Sequence, residues 1–297
     1  MRFKLEGVIA AAVTPFAKDG AVDLDKVGPL TDYLITKKGV HGLFVCGTTG
    51  EGPLLSTEER KAIVTETVRA NAKRAQIVVQ TTAPDQATTI ELTQHAQKAG
   101  AKAAAVVTPW YYKYDDLALL KFYKDVAAAV PKFPVLLYNI PGCARNVLSP
   151  ELVLRLADEV ENIVGIKDSA GSMPQLTRLL GHAPSGFVVC NGCDEMGFQS
   201  LVAGCPAVVS GTANVVGELY VAIYNLVKKG DLKKAWATQV KLEEACRVLE
   251  YGSQLAFFKE AMRLRGFDPG YVRAPQRELT GPEKTVLAKA LAAAGLE

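Results

Sequence analysis

Lys167 closes an apolar run, Ile163-Val164-Gly165-Ile166, and is followed by Asp168 and Ser169. A charged amine on a buried strand is costly, because desolvation penalises the ammonium. Either the lysine marks the strand's exit into water, its stem snorkelling out of apolar surroundings, or its amine has chemistry to do. A desolvated amine is more often neutral near neutral pH and can then attack a carbonyl carbon, the opening step of Schiff-base catalysis. That chemistry needs a carbonyl substrate and a group beside it that both gives and takes a proton. Tyr138, at the end of another apolar run, is the candidate; the alternative for it is an amphipathic core residue with a bonded hydroxyl. Gly47-Thr48-Thr49-Gly50 sets two hydroxyls between glycines, and its backbone N–H groups could cradle a carboxylate; the alternative is a tight turn with incidental threonines. The loop lacks the lysine and spacing of a phosphate-binding P-loop. Gly192-Cys193-Asp194-Glu195 adds two acids that could accept hydrogen bonds from hydroxyls, or else open a helix whose dipole favours them.

These groups work together only if the fold gathers them. Eight short apolar runs recur along the chain, at 7–16, 42–51, 75–83, 101–112, 133–141, 162–171, 186–195 and 206–216. Each has strand length and is apolar on both faces, as strands of a helix-covered parallel sheet must be. The segments between them read as helices. Ser56-Thr57-Glu58-Glu59 is a capping box opening a helix to about residue 73. Asp85 starts another, and Gly100 stops it. The alternation predicts a (β/α)8 barrel over 1–228, with a doubly wound open sheet as the lesser alternative; no GxGxxG follows the first strand. Beyond 228 the strand signals cease, and 229–297 reads as a three-helix extension. There Leu232, Trp236 and Val240 recur on one face, and Leu255, Phe258 and Met262 on another, so the extension either packs against the barrel or serves a subunit contact.

In such a barrel the active site lies at the C-terminal ends of the strands. The groups converging there would be Thr14, Thr48, Thr49, Tyr111, Tyr138, Lys167, Gly192, Asp194, Glu195 and Ser210. Strand alternation puts Ile163, Gly165 and Lys167 on one face, with Val164 and Ile166 toward the helices; Lys167 then points inward with Gly165 leaving room below it.

Bulk properties exclude several classes. With 297 residues, 49% hydrophobic and 22% charged, the chain can bury a sizeable core. The net charge of +3 is dispersed, so nucleic acid is not the expected partner. No apolar run reaches spanning length, and the N-terminal stretch reads as a first strand rather than a signal peptide, which points to the cytoplasm. Cys190 and Cys193 have redox or half-zinc spacing, but the first looks like strand and no second ligand pair exists, so no metal is expected.

"GTTGE", "YNIP" and "GIKDS", in this order and spacing, resemble the family that includes dihydrodipicolinate synthase, N-acetylneuraminate lyase and 2-keto-3-deoxy-sugar-acid aldolases. The resemblance covers essentially the whole chain. It implies a Schiff base between Lys167 and the C2 carbonyl of pyruvate or a 2-oxo acid, with no other cofactor. Tyr138 would be the general acid/base and Thr48 its proton relay. Thr48 and Thr49 would hold the pyruvate carboxylate, and the backbone carbonyl of Val209 would lie beside the site. Tyr111 resembles the tyrosine lent to a neighbouring subunit's site, implying a homodimer or homotetramer. The synthases carry an arginine two residues after the proline of YN-x-P; here that position is Cys143, and Arg145 lies two residues late. Gly192, Asp194 and Glu195 resemble the G-x-D-E by which sialic-acid lyases contact a polyol tail. Those lyases, however, have serine-threonine where Thr48-Thr49 stands and glutamine where Asp168 stands. The combined pattern implies a class I aldolase cleaving a hydroxylated 2-keto-3-deoxy acid to pyruvate and an aldehyde. The rivals are the synthase, with aspartate semialdehyde as co-substrate, and a non-catalytic sugar-acid sensor.

Overall fold

The computed structural model describes residues 3–249 and 254–296. Eight parallel strands close into a barrel in chain order: β1 (Gly7–Ala11), β2 (Gly42–Val45), β3 (Gln76–Gln80), β4 (Ala103–Val107), β5 (Val135–Asn139), β6 (Ile163–Asp168), β7 (Val188–Asn191) and β8 (Ala207–Ser210). The ring closes where Ile9 of β1 pairs with Val209 of β8. Every strand residue except Gln76 is buried. Ile9, Phe44, Val78, Ala105, Leu136 and Val209 fill the barrel, while Val8, Leu43, Val79, Val106 and Leu137 face the helical layer. These two cores account for the runs being apolar on both faces.

The covering helices are α1 (Val27–Thr36), α2 (Thr57–Asn71), α3 (Gln86–Ala99), α4 (Asp116–Ala128), α5 (Pro150–Glu159), α6 (Met173–His182), α7 (Gly197–Ala203) and α8 (Ala213–Lys229). Ser56 and Glu59 form the expected capping box on α2. That helix stops at Asn71, two residues short of the expected end, because Ala72 and Lys73 turn left-handed at φ 46° and 63°. Asp85 caps α3 through the Thr88 N–H, and Gly100 ends it at φ 89°.

One detail departs from the sequence reading. In β6 the alternation breaks: Val135 pairs with Ile163 but Leu136 pairs with Gly165, so Val164 is an extra, bulged residue. Val164 therefore packs inside the barrel and Ile163 outside it, the reverse of simple alternation, whereas Ile166 faces the helices as expected. The extension opens with α9 (Leu232–Leu249), whose Leu232 stripe is not packed on the barrel. Leu232, Trp236 and Val240 are 44%, 46% and 43% exposed, and the face packed inward is Ala235, Gln239, Leu242 and Ala245. Small residues on that face let α9 lie close along α8, which a reading of large apolar side chains overlooks. The extension continues through α10 (Gln254–Leu264) and α11 (Gly281–Ala293). Phe258 and Met262 of α10 are buried in one core with Val13 and Phe16 of the loop after β1. No described helix is long and apolar enough to cross a membrane.

Candidate active site

At the C-terminal mouth of the barrel lies a cavity of about 300 Å³. Lys167 reaches it from β6 and Tyr138 from β5, and the two are direct partners in the strand register. Neighbouring parallel partners point the same way about 4.8 Å apart, so pairing alone sets the amine beside the phenol. Lys167 is 5% exposed, with Nζ 3.9 Å from the Tyr138 ring centroid and 4.3 Å from that of Phe44. The two rings meet edge to face at 5.5 Å. Among the described residues Nζ has no ion pair or hydrogen bond, only these two π-faces. The Tyr138 hydroxyl is likewise unbonded among them and lines the cavity.

Two glycines near the lysine are fixed by different neighbours, Gly165 by the packed strands and Gly192 by the lysine stem itself. A Cβ on Gly165 would stand 2.4 Å from the Val188 carbonyl oxygen and 2.9 Å from Leu136 Cδ2. A Cβ on Gly192 would stand 3.0 Å from Lys167 Cε and 2.1 Å from Ser169 Oγ. Gly192 is thus a site residue because it has no side chain.

Thr48 and Thr49 line the cavity from the loop after β2. No hydrogen bond joins Thr48 to Tyr138, so a relay between them is not formed in this state of the described residues. The loop is tightly drawn: Cys46 and Glu51 adopt φ of 57° and 55°, each costing about 1–3 kcal/mol for a residue with a side chain. Gly52 is obligatory, since a Cβ there would lie 1.9 Å from the Cys46 carbonyl oxygen. Thr14 donates from Oγ1 to the Gly50 carbonyl at 2.6 Å.

Asp194 and Glu195, on a short turn after β7, both line the cavity. Glu195 is exposed. The Asp194 carboxylate is covered: Oδ2 accepts from the Thr212 N–H at 3.1 Å, while Oδ1 is buried with no partner among the described residues. Burial pushes this carboxyl above its ordinary range, against the opposing hydrogen bonds from Thr212 and Ser210. Gln239 of α9 clamps the turn, donating to the Asp194 carbonyl at 3.0 Å and accepting from the Phe198 N–H at 2.9 Å. Of the two readings of this pair, solvated acids describes Glu195 and not Asp194.

Val209 lies on the cavity wall. Asp168 points away from it, accepting from Asn139 Nδ2 at 3.2 Å, the Ala170 N–H at 2.8 Å and Gln175 Nε2 at 2.6 Å. Cys190 is fully buried inside the barrel, where burial pushes its thiol far up, while Cys193 lines the cavity.

Four named residues are not on the cavity wall: Thr14, whose hydroxyl is committed to the Gly50 carbonyl, Ser210, whose hydroxyl accepts from the Ala213 N–H, and Tyr111 and Arg145. Tyr111 is 76% exposed at φ 79°, edge to face with Tyr112. Arg145 is exposed because its neighbours Ala144 and Asn146 are the buried anchors of the loop. Asn146 donates to the Pro109 and Tyr112 carbonyls at 2.6 and 2.8 Å, tying that loop to the tyrosine segment. Cys143 does line the cavity, and among the described residues no arginine does. Sequence reasoning missed Cys246, Leu255 and Phe258, which form one wall from the C-terminal helices. Nothing in their local pattern distinguishes them from core.

The sequence profile of the Dihydrodipicolinate synthetase family matches residues 4–294. An uncharacterized DapA-like lyase of Halobacterium salinarum is 36% identical over 98% of this chain and 95% of its own length. The 4-hydroxy-tetrahydrodipicolinate synthase of Bacillus subtilis is 34% identical over 96% of this chain and 97% of its own. Among solved structures, an Escherichia coli K12 prophage protein of the dihydrodipicolinic acid synthase family, in complex with pyruvate, superposes with a TM-score of 0.93 at 32% identity, covering 99% of each chain. Barrel, lysine–tyrosine pair and full-length similarity agree: the chain belongs to the dihydrodipicolinate synthetase family of lyases and aldolases.

Proposed function

We propose that this protein is a class I, metal-independent pyruvate aldolase acting on a hydroxylated 2-keto-3-deoxy acid. The Lys167 amine attacks C2 of the substrate, and the carbinolamine hydroxyl leaves as water by taking the Tyr138 phenolic proton, giving an iminium beside a phenolate. Tyr138 takes the C4 hydroxyl proton as the C3–C4 bond breaks; its electron pair moves into the iminium, which becomes an enamine, and the aldehyde leaves. Protonation at C3 and hydrolysis release pyruvate and restore the amine. Thr48 and Thr49 hold the carboxylate. The observation carrying this reading is the unpaired Lys167 amine 3.9 Å from the Tyr138 ring centroid at a cavity mouth. The pyruvate-bound prophage relative supports pyruvate as the ketone.

The rest of the lining speaks to the aldehyde half. Asp194, Glu195, Ser169 and Thr212 offer acceptors and hydroxyls, and Lys167 is the only cationic side chain lining the cavity among the described residues. Such a lining suits a polyol better than a second carboxylate. The synthase reading has the Bacillus subtilis relative in its favour but would need Arg145 to swing in. The exposed Tyr111 ring supports a site completed by a neighbouring copy in a homodimer or homotetramer.

Borohydride reduction in the presence of pyruvate should leave a three-carbon adduct on Lys167, read by peptide mass spectrometry, and Lys167→Ala should abolish it. An active protein with Lys167 unlabelled defeats the mechanism. Turnover of aspartate semialdehyde with pyruvate, and of none of a panel of keto-deoxy acids, would decide for the synthase.

A further inference from the structure

The Thr48–Thr49 loop is held from outside the barrel. Lys259 of α10 has its side chain 1% exposed, and that of Glu51 is fully buried; the two pair at 2.9 Å. The same ammonium donates to the Thr14 carbonyl at 2.7 Å and to that of Tyr271. Thr14 in turn holds Gly50 through its hydroxyl. One amine therefore grips the loop twice, directly at Glu51 and through Thr14 at Gly50. The other Glu51 oxygen accepts the Arg273 N–H at 2.9 Å, and the Arg273 guanidinium reaches the Leu54 carbonyl and Glu59. Neither Lys259 nor Glu51 lines the cavity, although Phe258, the residue before Lys259, does. Across Gly211, Thr49 Oγ1 and Phe258 Cζ face each other, 3.2 and 3.7 Å from where a Cβ would stand.

A buried ion pair is not an efficient way to gain stability, because desolvation cancels much of the attraction. It does fix geometry, and here it fixes a loop with two left-handed residues that would relax if released. We propose that Glu51 and Lys259 are positioning residues: through them the C-terminal helices set how well the Thr48–Thr49 loop receives the substrate's carboxylate. This rests on the carboxylate-binding role proposed above for that loop.

The test titrates borohydride trapping on Lys167 with two ketones of similar size, pyruvate and hydroxyacetone, the second lacking the carboxylate. In Glu51→Gln and in the double variant Glu51→Gln/Lys259→Met, half-saturating pyruvate should rise by about ten- to a hundredfold, the scale of a loop misplaced by about 1 Å, while hydroxyacetone trapping stays as in wild type. Equal losses for both ketones, or no change for either, would overturn the proposal by making the pair merely structural. Wild-type protein that traps neither ketone would instead overturn the Schiff-base reading, so the two failures are distinct. A readout independent of folding variants is hydrogen exchange of the wild-type protein. Pyruvate should slow exchange in peptides covering 255–263 and 271–273 together with 46–52, and protection confined to 46–52 counts against the coupling.

Discussion

Lys167 passes the bare backbone of Gly192 on its way to the cavity, and that makes the steric prediction sharp. Gly192→Ala puts a methyl 3.0 Å from the lysine's Cε, so pyruvate trapping on Lys167 should fall steeply while the far-ultraviolet circular dichroism is unchanged. Tyr138→Phe leaves the ring under the amine and removes only the hydroxyl. The adduct should still form, with aldol cleavage slower by about 10²–10⁴-fold, the usual worth of a general acid/base. Asp194 gives a pH prediction. Its folded pKa lies above the unfolded one, so the native state keeps a proton that the unfolded state has lost, and stability declines as pH rises through that window. Asp194→Asn should therefore melt higher relative to wild type at pH 7 than at pH 4, while cleavage of polyol substrates shows a raised KM. Lys167 and Tyr138 were legible because each ends an apolar run of strand length. The covering of Asp194 was not, since Thr212 and Gln239, which bond it and its turn, lie 18 and 45 residues further on.

The strands and their order were legible from apolar runs, because a helix-covered barrel demands them of every strand. The β6 bulge was not. Periodicity cannot register one extra residue, and what reveals it is the partner strand's register. Which face of α9 turns inward was not legible either: Ala235, Leu242 and Ala245 are buried, and the larger side chains Leu232, Trp236 and Val240 are left outside. A second pH prediction concerns the tie between α2 and the extension. The Arg273 guanidinium holds Glu59 at about 2 against an ordinary 4.5. A depressed acid stabilises the fold above its unfolded value and loses that contribution as pH falls, here between 4.5 and about 2. The stability gap between wild type and Glu59→Gln, measured by urea unfolding, should be open at pH 6 and closed near pH 2.

Across the whole molecule, barrel and extension share one core and one charge network. Lys259→Met alone strands the buried Glu51 carboxylate and should lower the unfolding free energy by about 3–5 kcal/mol. Glu51→Gln/Lys259→Met should recover much of that loss, with chemical denaturation as the measure. Nothing in the sequence joined Glu51 to Lys259, which stand 208 positions apart. A chain made from its N-terminus therefore completes its eighth strand at Ser210 while the loop after its second still lacks its anchor. On the ribosome Lys167 is built well before its pocket can close, and a nascent polypeptide halted short of Lys259 should have the ring of strands but bind keto acids poorly.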